Sequence, residues 1–491
     1  MIAKRTENIK SGFSIFFIKN LIFRAASLVS SIVLAKFLTP ADFGIVAISY
    51  VLINIISVLS RSGVGEYILV NYPKSDTTEK KKIISNAIFS QLLITFAVVI
   101  VFCIALPFWS KYNSDVRIIY LSYFIIINFV FSQIKSLSDN VILSNQKFMA
   151  IFYLSLVPGI LVPVGKIFCA YIGLGIYSLI IPSTLFIFIT MLISLRVSKL
   201  RFCFSDVSKK MIKKTFDFSK YLYGANVLAS LSDHVENIIV AKYFNLKTLG
   251  IYNMGNMMAT VIPLTLERST NTVLKSALPS IKNKGIVIKK YLSFVDYALF
   301  FTYPIFALIF ISIDDIIKIL YNDNWYSVTD VVRILILYSL IRVSTGSAGS
   351  LINTLEVTNI TWKLNVIYVI YHIPLIIALS SFGFLGLCWA IVISKTLGTV
   401  VLFYYLKKQT NLSYKLSILP IFKAIVTFSI SVTITYYLLG LFVIDNLVIS
   451  IFIKSSLIFI IYLFTFIWLY SVKELKIKLN TLLKFIKQYM K

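Results

Sequence analysis

The chain has 491 residues, of which 58% are hydrophobic and 14% are charged, and its formal net charge is +28. This amount of apolar surface exceeds what a soluble domain of that length can bury, so the composition excludes a soluble globular protein and indicates a membrane protein. A nucleic-acid-binding domain is excluded as well, because a soluble basic domain would need a polar remainder.

Apolar runs of about 20 residues, the length that spans a bilayer as a helix, divide the chain into about fourteen segments. The predicted fold class is an all-α polytopic membrane protein. The first apolar run is too long for a signal peptide, so we expect it to remain as the first helix. In chain order the predicted spans are 11–37, 43–69, 83–106, 116–138, 150–172, 176–197, 218–242, 249–275, 291–313, 328–349, 362–381, 384–406, 419–441 and 447–471.

Lysine and arginine residues are concentrated in alternate connections between these spans, whereas the intervening connections are short or acidic. By the positive-inside rule the basic connections are cytoplasmic, and an even number of spans places both termini in the cytoplasm. The longest basic connection falls between the sixth and seventh spans. The C-terminal stretch "VKELKIKLNTLLKFIKQYMK" predicts a basic amphipathic helix that lies on anionic lipid.

One phrase occurs twice, as "LAKFLTPADFG" at 34–44 and "VAKYFNLKTLG" at 240–250, at a constant offset of 206 residues. A second pair consists of "YIGLGIYSLI" at 171–180 and "FGFLGLCWAI" at 382–391. Because both halves begin with a helix that enters from the cytoplasm, they predict a parallel repeat with a central site that opens to alternate sides, and hence transport. The alternative is that the duplication records only how the fold was assembled.

The repeat predicts two six-helix lobes followed by two further helices. No connection is long enough to form a soluble domain. The predicted boundaries are 1–198 for the N-terminal lobe, 199–217 for the cytoplasmic linker, 218–406 for the C-terminal lobe, and 407–491 for helices 13 and 14 with the basic tail.

Several cations are predicted to lie within the membrane, where an ionisable group costs free energy and is usually paired or functional. Arg24 lies about 20 Å from either end of its helix, which is too far for its side chain to reach the interface. A layer of such cations, reached from the cytoplasm, would bind a diphosphate group, because arginine offers paired donors to phosphate oxygens. The alternative is a buried structural network in which the arginines pair with acids. The predicted substrate-binding cations are Lys19, Arg24, Arg61, Arg268, Arg342 and Lys395.

Arg61 also falls on a polar stripe with Asn54 and Ser57. Arg342 and Lys395 lie on the tenth and twelfth spans, where they would line an outer route for sugar or phosphate. Lys454 lies near a helix end, where its long side chain is expected to reach the interface.

Three acids, Asp233, Glu236 and Glu267, are candidates for binding a coupling proton or sodium ion. Equally, they would serve only to neutralise the arginines. No HExxH, GxSxG, Walker or aspartate-rich metal motif is present, so we expect no enzymatic activity, no metal site and no cofactor. Each of the two histidines, His234 and His372, is expected to be a packed or hydrogen-bonding residue of its helix.

The stretch "VLAKFLTPADFGIVAISYVLINIISVLSRSGVGEYIL" resembles the opening of the bacterial polysaccharide flippases of the Wzx type, in the multidrug/oligosaccharidyl-lipid/polysaccharide exporter superfamily. "YFNLKTLGIYNMGNMMATVIPLTLERSTNTVLKSALPSI" is similar to the second-half counterpart of that family, and "GLGIYSLI" to the start of its sixth helix. The resemblance implies transfer of undecaprenyl-diphosphate-linked oligosaccharide from the inner to the outer leaflet of the bacterial inner membrane. It also implies surrounding lipid and the polysaccharide polymerase and chain-length machinery as partners, and cavity-lining arginines, for which Arg24 and Arg61 occupy matching helices. Full symmetry between the halves would place a cation at the position equivalent to Arg61, but this chain has Glu267 there. That departure weakens the assignment of Arg268 as a substrate-binding residue.

Three other functions compete with this hypothesis. A multidrug antiporter of the same superfamily would need an acidic or aromatic cavity, whereas the predicted layer is cationic. A flippase for the lipid-linked peptidoglycan precursor handles a diphosphate as well, and the sequence separates the two poorly. A membrane polysaccharide polymerase or ligase would be expected to carry catalytic groups on a sizeable outer loop.

Overall fold

The computed structural model describes residues 22–60, 64–145, 147–200, 202–209, 212–213, 230, 234–277, 284–346, 348, 351–352, 359–410, 414–440 and 446–470. Within these ranges every regular element is a helix. The prediction of an all-α fold is therefore confirmed.

The helices of the first half are α1 (22–37), α2 (Pro40–Ser57), α3 (Val64–Asn71), α4 (Thr77–Tyr112), α5 (Arg117–Ser144), α6 (Phe148–Tyr171) and α7 (Ile181–Ser198). The second half contains α8 (234–243), α9 (Leu246–Ala277), α10 (Lys284–Leu320), α11 (Val328–Thr345), α12 (Asn359–Ser380), α13 (Phe384–Thr410), α14 (Tyr414–Leu439) and α15 (Leu447–Tyr470). Short 3₁₀ turns precede α3 and α7, at Val58–Ser60 and Gly175–Leu179.

Ten of the described helices are long and apolar enough to cross a membrane, which makes this a multi-pass membrane protein. They are α2, α4, α5, α6, α7, α10, α12, α13, α14 and α15. The predicted tenth span corresponds to α11, which carries three charged residues, Asp330, Arg333 and Arg342. It packs against α10 and α13, both of which are spans.

The predicted second span, 43–69, is not continuous in the structure. α2 ends at Ser57 and a 3₁₀ turn follows at Val58–Ser60 before α3 begins at Val64. The Ser57 hydroxyl donates to Asn54 O at 2.9 Å and the Ser60 hydroxyl donates to Ser57 O at 2.6 Å. The prediction of one uninterrupted helix over this segment is wrong.

The structure divides into two compact units, described here separately. The N-terminal unit is Ala25–Asn253, and the C-terminal unit is Met254–Lys491 together with Met1–Arg24. In the N-terminal unit α5 packs against α2, α3, α4, α6 and α7. In the C-terminal unit α10 packs against α11, α14 and α15, and α13 packs against α11 and α12.

The two copies of the repeated phrase meet inside the N-terminal unit. A Cβ atom on Gly44 would lie 1.8 Å from Leu246 O, and a Cβ atom on Gly250 would lie 1.8 Å from Pro40 O. Pro40 and Leu246 are themselves equivalent under the 206-residue offset. The contact is therefore reciprocal, as expected of two related helix beginnings that pack against each other.

The start of the connection between the two halves is fixed to α4. Asn86 accepts a hydrogen bond from Ser208 N and donates to Asp206 O, each at 2.8 Å, and Ser85 Oγ accepts from Cys203 N at 3.1 Å. The Phe204 ring packs edge-on against Phe89. Residues 202–209 are thus part of the N-terminal unit.

Candidate functional site

Arg342, on α11, is held in a fixed orientation by two side chains of the C-terminal unit. Its Nε and Nη2 donate to Glu267 Oε2 at 3.1 and 2.9 Å, and its Nη1 donates to the Tyr338 hydroxyl at 2.7 Å. Both charged side chains are partly buried, at 25% exposure for Arg342 and 24% for Glu267. Partial burial strengthens the attraction between the two charges, and the second contact fixes the plane of the guanidinium.

Lys395, on α13, lies against the same tyrosine. Its Nζ is 5.0 Å from the centroid of the Tyr338 ring, and the Arg342 Cζ is 5.8 Å from it. Two of the predicted binding cations and one predicted acid, Glu267, therefore come together around Tyr338. We call Glu267, Tyr338, Arg342 and Lys395 the Tyr338 cluster.

The contacts of the Tyr338 cluster are relevant to two hypotheses about its charged residues, a buried structural network and a phosphate-binding site. The bond between Glu267 and Arg342 is the pairing that the structural-network hypothesis expects. Glu267 and Tyr338 together accept from three of the five guanidinium N–H donors of Arg342, which leaves two for another acceptor. The roles of Glu267 in ion coupling and of Arg342 and Lys395 in phosphate binding stay predictions.

The other predicted site residues are only partly within the described structure. Arg24 lies on α1 and is partly buried. Glu236, on α8, is 6% exposed and accepts a hydrogen bond from the Tyr252 hydroxyl. Arg268 belongs to α9, but its side chain lies outside the described part of the chain. Lys19, Arg61 and Asp233 lie outside the described residues altogether.

Lys166, on α6, is a membrane cation that the sequence analysis missed. Its side chain is partly buried, and it forms no ion pair with any side chain that the structure describes. It lies one turn after Pro163, whose carbonyl accepts a hydrogen bond from the Ser30 hydroxyl of α1 at 3.1 Å. A lysine more than one turn inside the predicted span 150–172 was the available signal.

A polar cavity of about 210 Å³ lies within the N-terminal unit between α2 and α5. We call it the α2–α5 cavity. Asn54 and Ser57, which the sequence places on one stripe, both line it. The α5 residues were missed, although Asn128 and Ser132 interrupt an apolar run at helical spacing. The lining consists of Tyr50, Ile53, Asn54, Ser57 and Ser60 from α2 and the following turn, and of Ile125, Asn128, Phe129, Ser132 and Gln133 from α5.

His372 is a packed residue, as predicted. It is fully buried, with Nδ1 2.7 Å from Ser394 Oγ and Nε2 3.1 Å from the Tyr368 hydroxyl. Its ring stacks on Tyr368 at 4.4 Å between centroids. Both ring nitrogens are thus engaged in hydrogen bonds, so the side chain serves to join α12 to α13.

Comparison with known proteins identifies the family of this chain and the solved structures that it resembles. The family model described as "Polysaccharide biosynthesis protein" matches residues 33–330, more than half of the chain. The lipopolysaccharide biosynthesis protein WzxC of Escherichia coli (strain K12) is 21% identical over 233 residues, 45% of this chain and 47% of that protein. The match thus spans about half the length of that relative.

Two solved structures are similar in fold. The lipid II flippase MurJ, in an inward closed conformation, has a TM-score of 0.75 and 18% identity, with 93% of this chain and 98% of that chain covered. The multidrug transporter DinF-BH has a TM-score of 0.56 and 16% identity, with 82% and 96% covered. At these identities the likeness concerns the fold, and it confirms the predicted all-α architecture of a polytopic membrane protein. With the family match, it also confirms the resemblance to the polysaccharide flippases.

Proposed function

The chain belongs to the polysaccharide biosynthesis protein family, and we therefore propose that it is a flippase for undecaprenyl-diphosphate-linked oligosaccharide repeat units. It moves them from the cytoplasmic to the outer leaflet of a bacterial inner membrane by alternating access, for assembly of a surface polysaccharide. Both termini lie in the cytoplasm in this proposal. A polysaccharide polymerase and its chain-length machinery receive the transferred unit.

The single structural observation that supports this proposal is the fixed orientation of the Arg342 guanidinium. Its helix packs between the two spans α10 and α13, so the guanidinium belongs to a membrane-embedded unit. Glu267 and Tyr338 take three of its N–H donors and orient the remaining two. Phosphate oxygens are the acceptors that such a fixed planar group binds best.

The other cations extend the same chemistry to a group with more than one phosphate. In the proposal Lys395 binds the diphosphate beside Arg342, and Lys19, Arg24, Arg61 and Arg268 bind it at other stages of transfer. A proton or sodium ion drives the cycle through Asp233, Glu236 or Glu267. The lipid tail needs no polar site, since it stays in the hydrocarbon of the bilayer.

The test is leaflet transfer in liposomes that contain the purified protein, with Arg333→Ala as the matched control for Arg342→Ala. Both arginines lie on α11, and Arg333 is already paired with Asp314 and Asp330 near the start of the helix. We expect Arg342→Ala to lower transfer of the lipid-linked oligosaccharide about tenfold or more, because a charge-assisted hydrogen bond contributes about 1.5–3 kcal/mol. Arg333→Ala is expected to retain transfer.

Removal of Arg342 also leaves the Glu267 carboxylate without its cation, which could unfold the protein. The double variant Arg342→Ala with Glu267→Ala removes that problem, and we expect it to be folded and still impaired in transfer. Full transfer by this double variant would contradict the role of Arg342. Transfer of a lipid-linked peptidoglycan precursor or a cationic drug, with no transfer of the oligosaccharide, would overturn the proposed substrate.

A further inference from the structure

We infer that the α2–α5 cavity is a saccharide-binding site, in which the carboxamides of Asn54, Asn128 and Gln133 hydrogen-bond the hydroxyl groups of one sugar ring. The inference rests on the proposed function, because it assigns the part of the substrate beyond the diphosphate. It adds the residues that determine which sugars are carried.

Unused amide groups in the cavity wall point to a ligand. The side chains of Asn54 and Asn128 have no hydrogen-bond partner among the described residues. Gln133 accepts a hydrogen bond from Gln91 Nε2 at 3.0 Å, which occupies its oxygen and leaves its NH₂ group. Both asparagine side chains are only partly buried, so their amides are open to an occupant that both donates and accepts. Vicinal sugar hydroxyls do both.

The serine hydroxyls of the wall complement these donors. Ser57, Ser60 and Ser132 donate their protons to the backbone oxygens of Asn54, Ser57 and Phe129, at 2.9, 2.6 and 2.6 Å. Each hydroxyl oxygen is therefore left as an acceptor. The cavity offers amide donors and hydroxyl acceptors together, as the recognition of a polyol requires.

The described part of the wall is uncharged, which favours a neutral occupant. None of the ten residues that line the cavity is ionisable at neutral pH. The described lining offers no cation to a diphosphate and no carboxylate to a metal ion. A neutral, hydroxyl-rich group fits better than either.

The shape of the cavity also matches a sugar. Tyr50 and Phe129 supply aromatic surface, and Ile53 and Ile125 supply aliphatic surface, against which the C–H face of a sugar ring can pack. A volume of about 210 Å³ corresponds to roughly seven water molecules, which suits one ring and not a whole oligosaccharide.

The position of the cavity is consistent with a transport role. α2 loses its regular ladder at Ser57–Ser60, the residues that form one edge of the cavity. Broken helices are where transporters commonly form substrate sites. Gln91 of α4 donates to Ser60 O at 3.3 Å as well as to Gln133, so the edge is held between α2, α4 and α5.

The first experiment is direct binding, which does not depend on transport. The full chain in lipid nanodiscs is mixed with single sugars (glucose, galactose, N-acetylglucosamine and rhamnose), and contact is measured by saturation-transfer difference NMR. The variants are Asn54→Ala and Asn128→Ala. The control is Asn145→Ala, on an exposed residue at the end of α5 whose amide donates to Val141 O at 3.0 Å.

We expect at least one sugar to bind at millimolar concentration, with the signal lost in both cavity variants and kept in Asn145→Ala. Binding by none of the sugars, or a signal that survives both cavity variants, would overturn the saccharide site. Spectra that change with sodium and with none of the sugars would also overturn the saccharide site and would assign the cavity to an ion.

The second experiment separates this inference from the proposed function. Liposomes carry either the lipid-linked oligosaccharide or undecaprenyl diphosphate without sugar. Each cavity variant is expected to lower transfer of the first about threefold to tenfold and leave the second unchanged, because each removes hydrogen bonds to the sugar alone. Equal loss for both lipids contradicts the saccharide site while the flippase function stands. Failure of the unmodified protein to transfer either lipid contradicts the proposed function, and the NMR result then decides the saccharide site by itself.

Discussion

Gly44 and Gly250 pack against each other so closely that neither position has room for a Cβ atom. The Gly250 amide nitrogen lies 3.1 Å from where a Cβ on Gly44 would be, and the reverse distance is also 3.1 Å. Equivalent residues of the two repeated phrases thus form one symmetric backbone contact. Close approach of this kind requires glycine on both sides.

We predict that Gly44→Ala and Gly250→Ala each lower the thermal stability of the purified protein. The added methyl group meets a backbone oxygen that cannot rotate away, so we expect a loss of about 3 kcal/mol or more in the free energy of unfolding. The double variant should lose less than the two single losses together, because both act on the same contact. Thermal unfolding in detergent is the measurement.

Gly440→Ala is the control for that experiment, since its Cβ would meet nothing closer than 3.3 Å. We expect a much smaller loss there than at Gly44 or Gly250, where the nearest atom would lie at 1.8 Å. Unaltered stability of both Gly44→Ala and Gly250→Ala would show that the two phrases do not depend on their mutual contact.

Lys454 is expected from the sequence to extend to the interface, and the structure shows otherwise. Its Nζ lies 2.6 Å from Asp315 Oδ2, and the Ser450 hydroxyl donates to the same oxygen at 2.7 Å. The lysine and aspartate side chains are 15% and 10% exposed. The prediction of a snorkelling lysine is therefore wrong, because an acid on α10 lies within reach of α15.

The buried pair predicts a large effect of removing one partner. Lys454→Ala should destabilise the protein by about 3–5 kcal/mol, because it leaves a buried carboxylate uncompensated. Replacing both partners, as in Lys454→Met with Asp315→Leu, should restore most of the loss. Both are measured as the temperature of unfolding, and a single variant as stable as the double variant would refute the pairing.

The positions of most helices follow from the sequence, because apolar runs of bilayer length leave few alternatives. The glycine turns also follow: Gly173 and Gly383 begin the two "GLG"-like turns with positive φ angles of 85° and 89°. The break in α2 does not follow, since serine within an apolar run is compatible with an intact helix. Ser132 makes the same kind of hydrogen bond to the backbone within the continuous helix α5, so such serines do not mark the position of a break.

The candidate site is less predictable than the fold because its contacts join distant parts of the chain. Glu267 and Arg342 are separated by 75 residues, and Lys454 and Asp315 by 139. Helical periodicity gives the face on which a side chain lies but not its partner on another helix. The stripe of Asn54 and Ser57 could thus be predicted, whereas the α5 wall of the cavity could not.

Tyr338 has two separable roles in its cluster, and two substitutions distinguish them. Tyr338→Phe removes the acceptor of Arg342 Nη1 and keeps the ring beside Lys395. Tyr338→Leu removes both. We expect transfer of the lipid-linked oligosaccharide to fall about threefold to tenfold in the first, as for the loss of one charge-assisted hydrogen bond, and further in the second.

Initial rates of leaflet transfer at several substrate concentrations measure these effects, with the amount of folded protein determined in each sample. Equal rates in Tyr338→Phe and Tyr338→Leu would show that the ring contact with Lys395 plays no part in transfer. Unchanged rates in both would separate Tyr338 from substrate handling.

Lys166 should show opposite effects on stability and on transport. Lys166 has no ion pair with a described side chain and lies within the membrane-spanning helix α6. A charge inside an apolar span costs free energy, so Lys166→Met is expected to raise the temperature of unfolding. The same variant is expected to lower transfer of the lipid-linked oligosaccharide, because the ammonium group would no longer be there to bind the diphosphate. Lys147→Met, at an exposed residue just before α6, removes an equal charge and should change neither quantity. A stabilised Lys166→Met that transfers substrate at the full rate would mean that this lysine has no part in substrate binding.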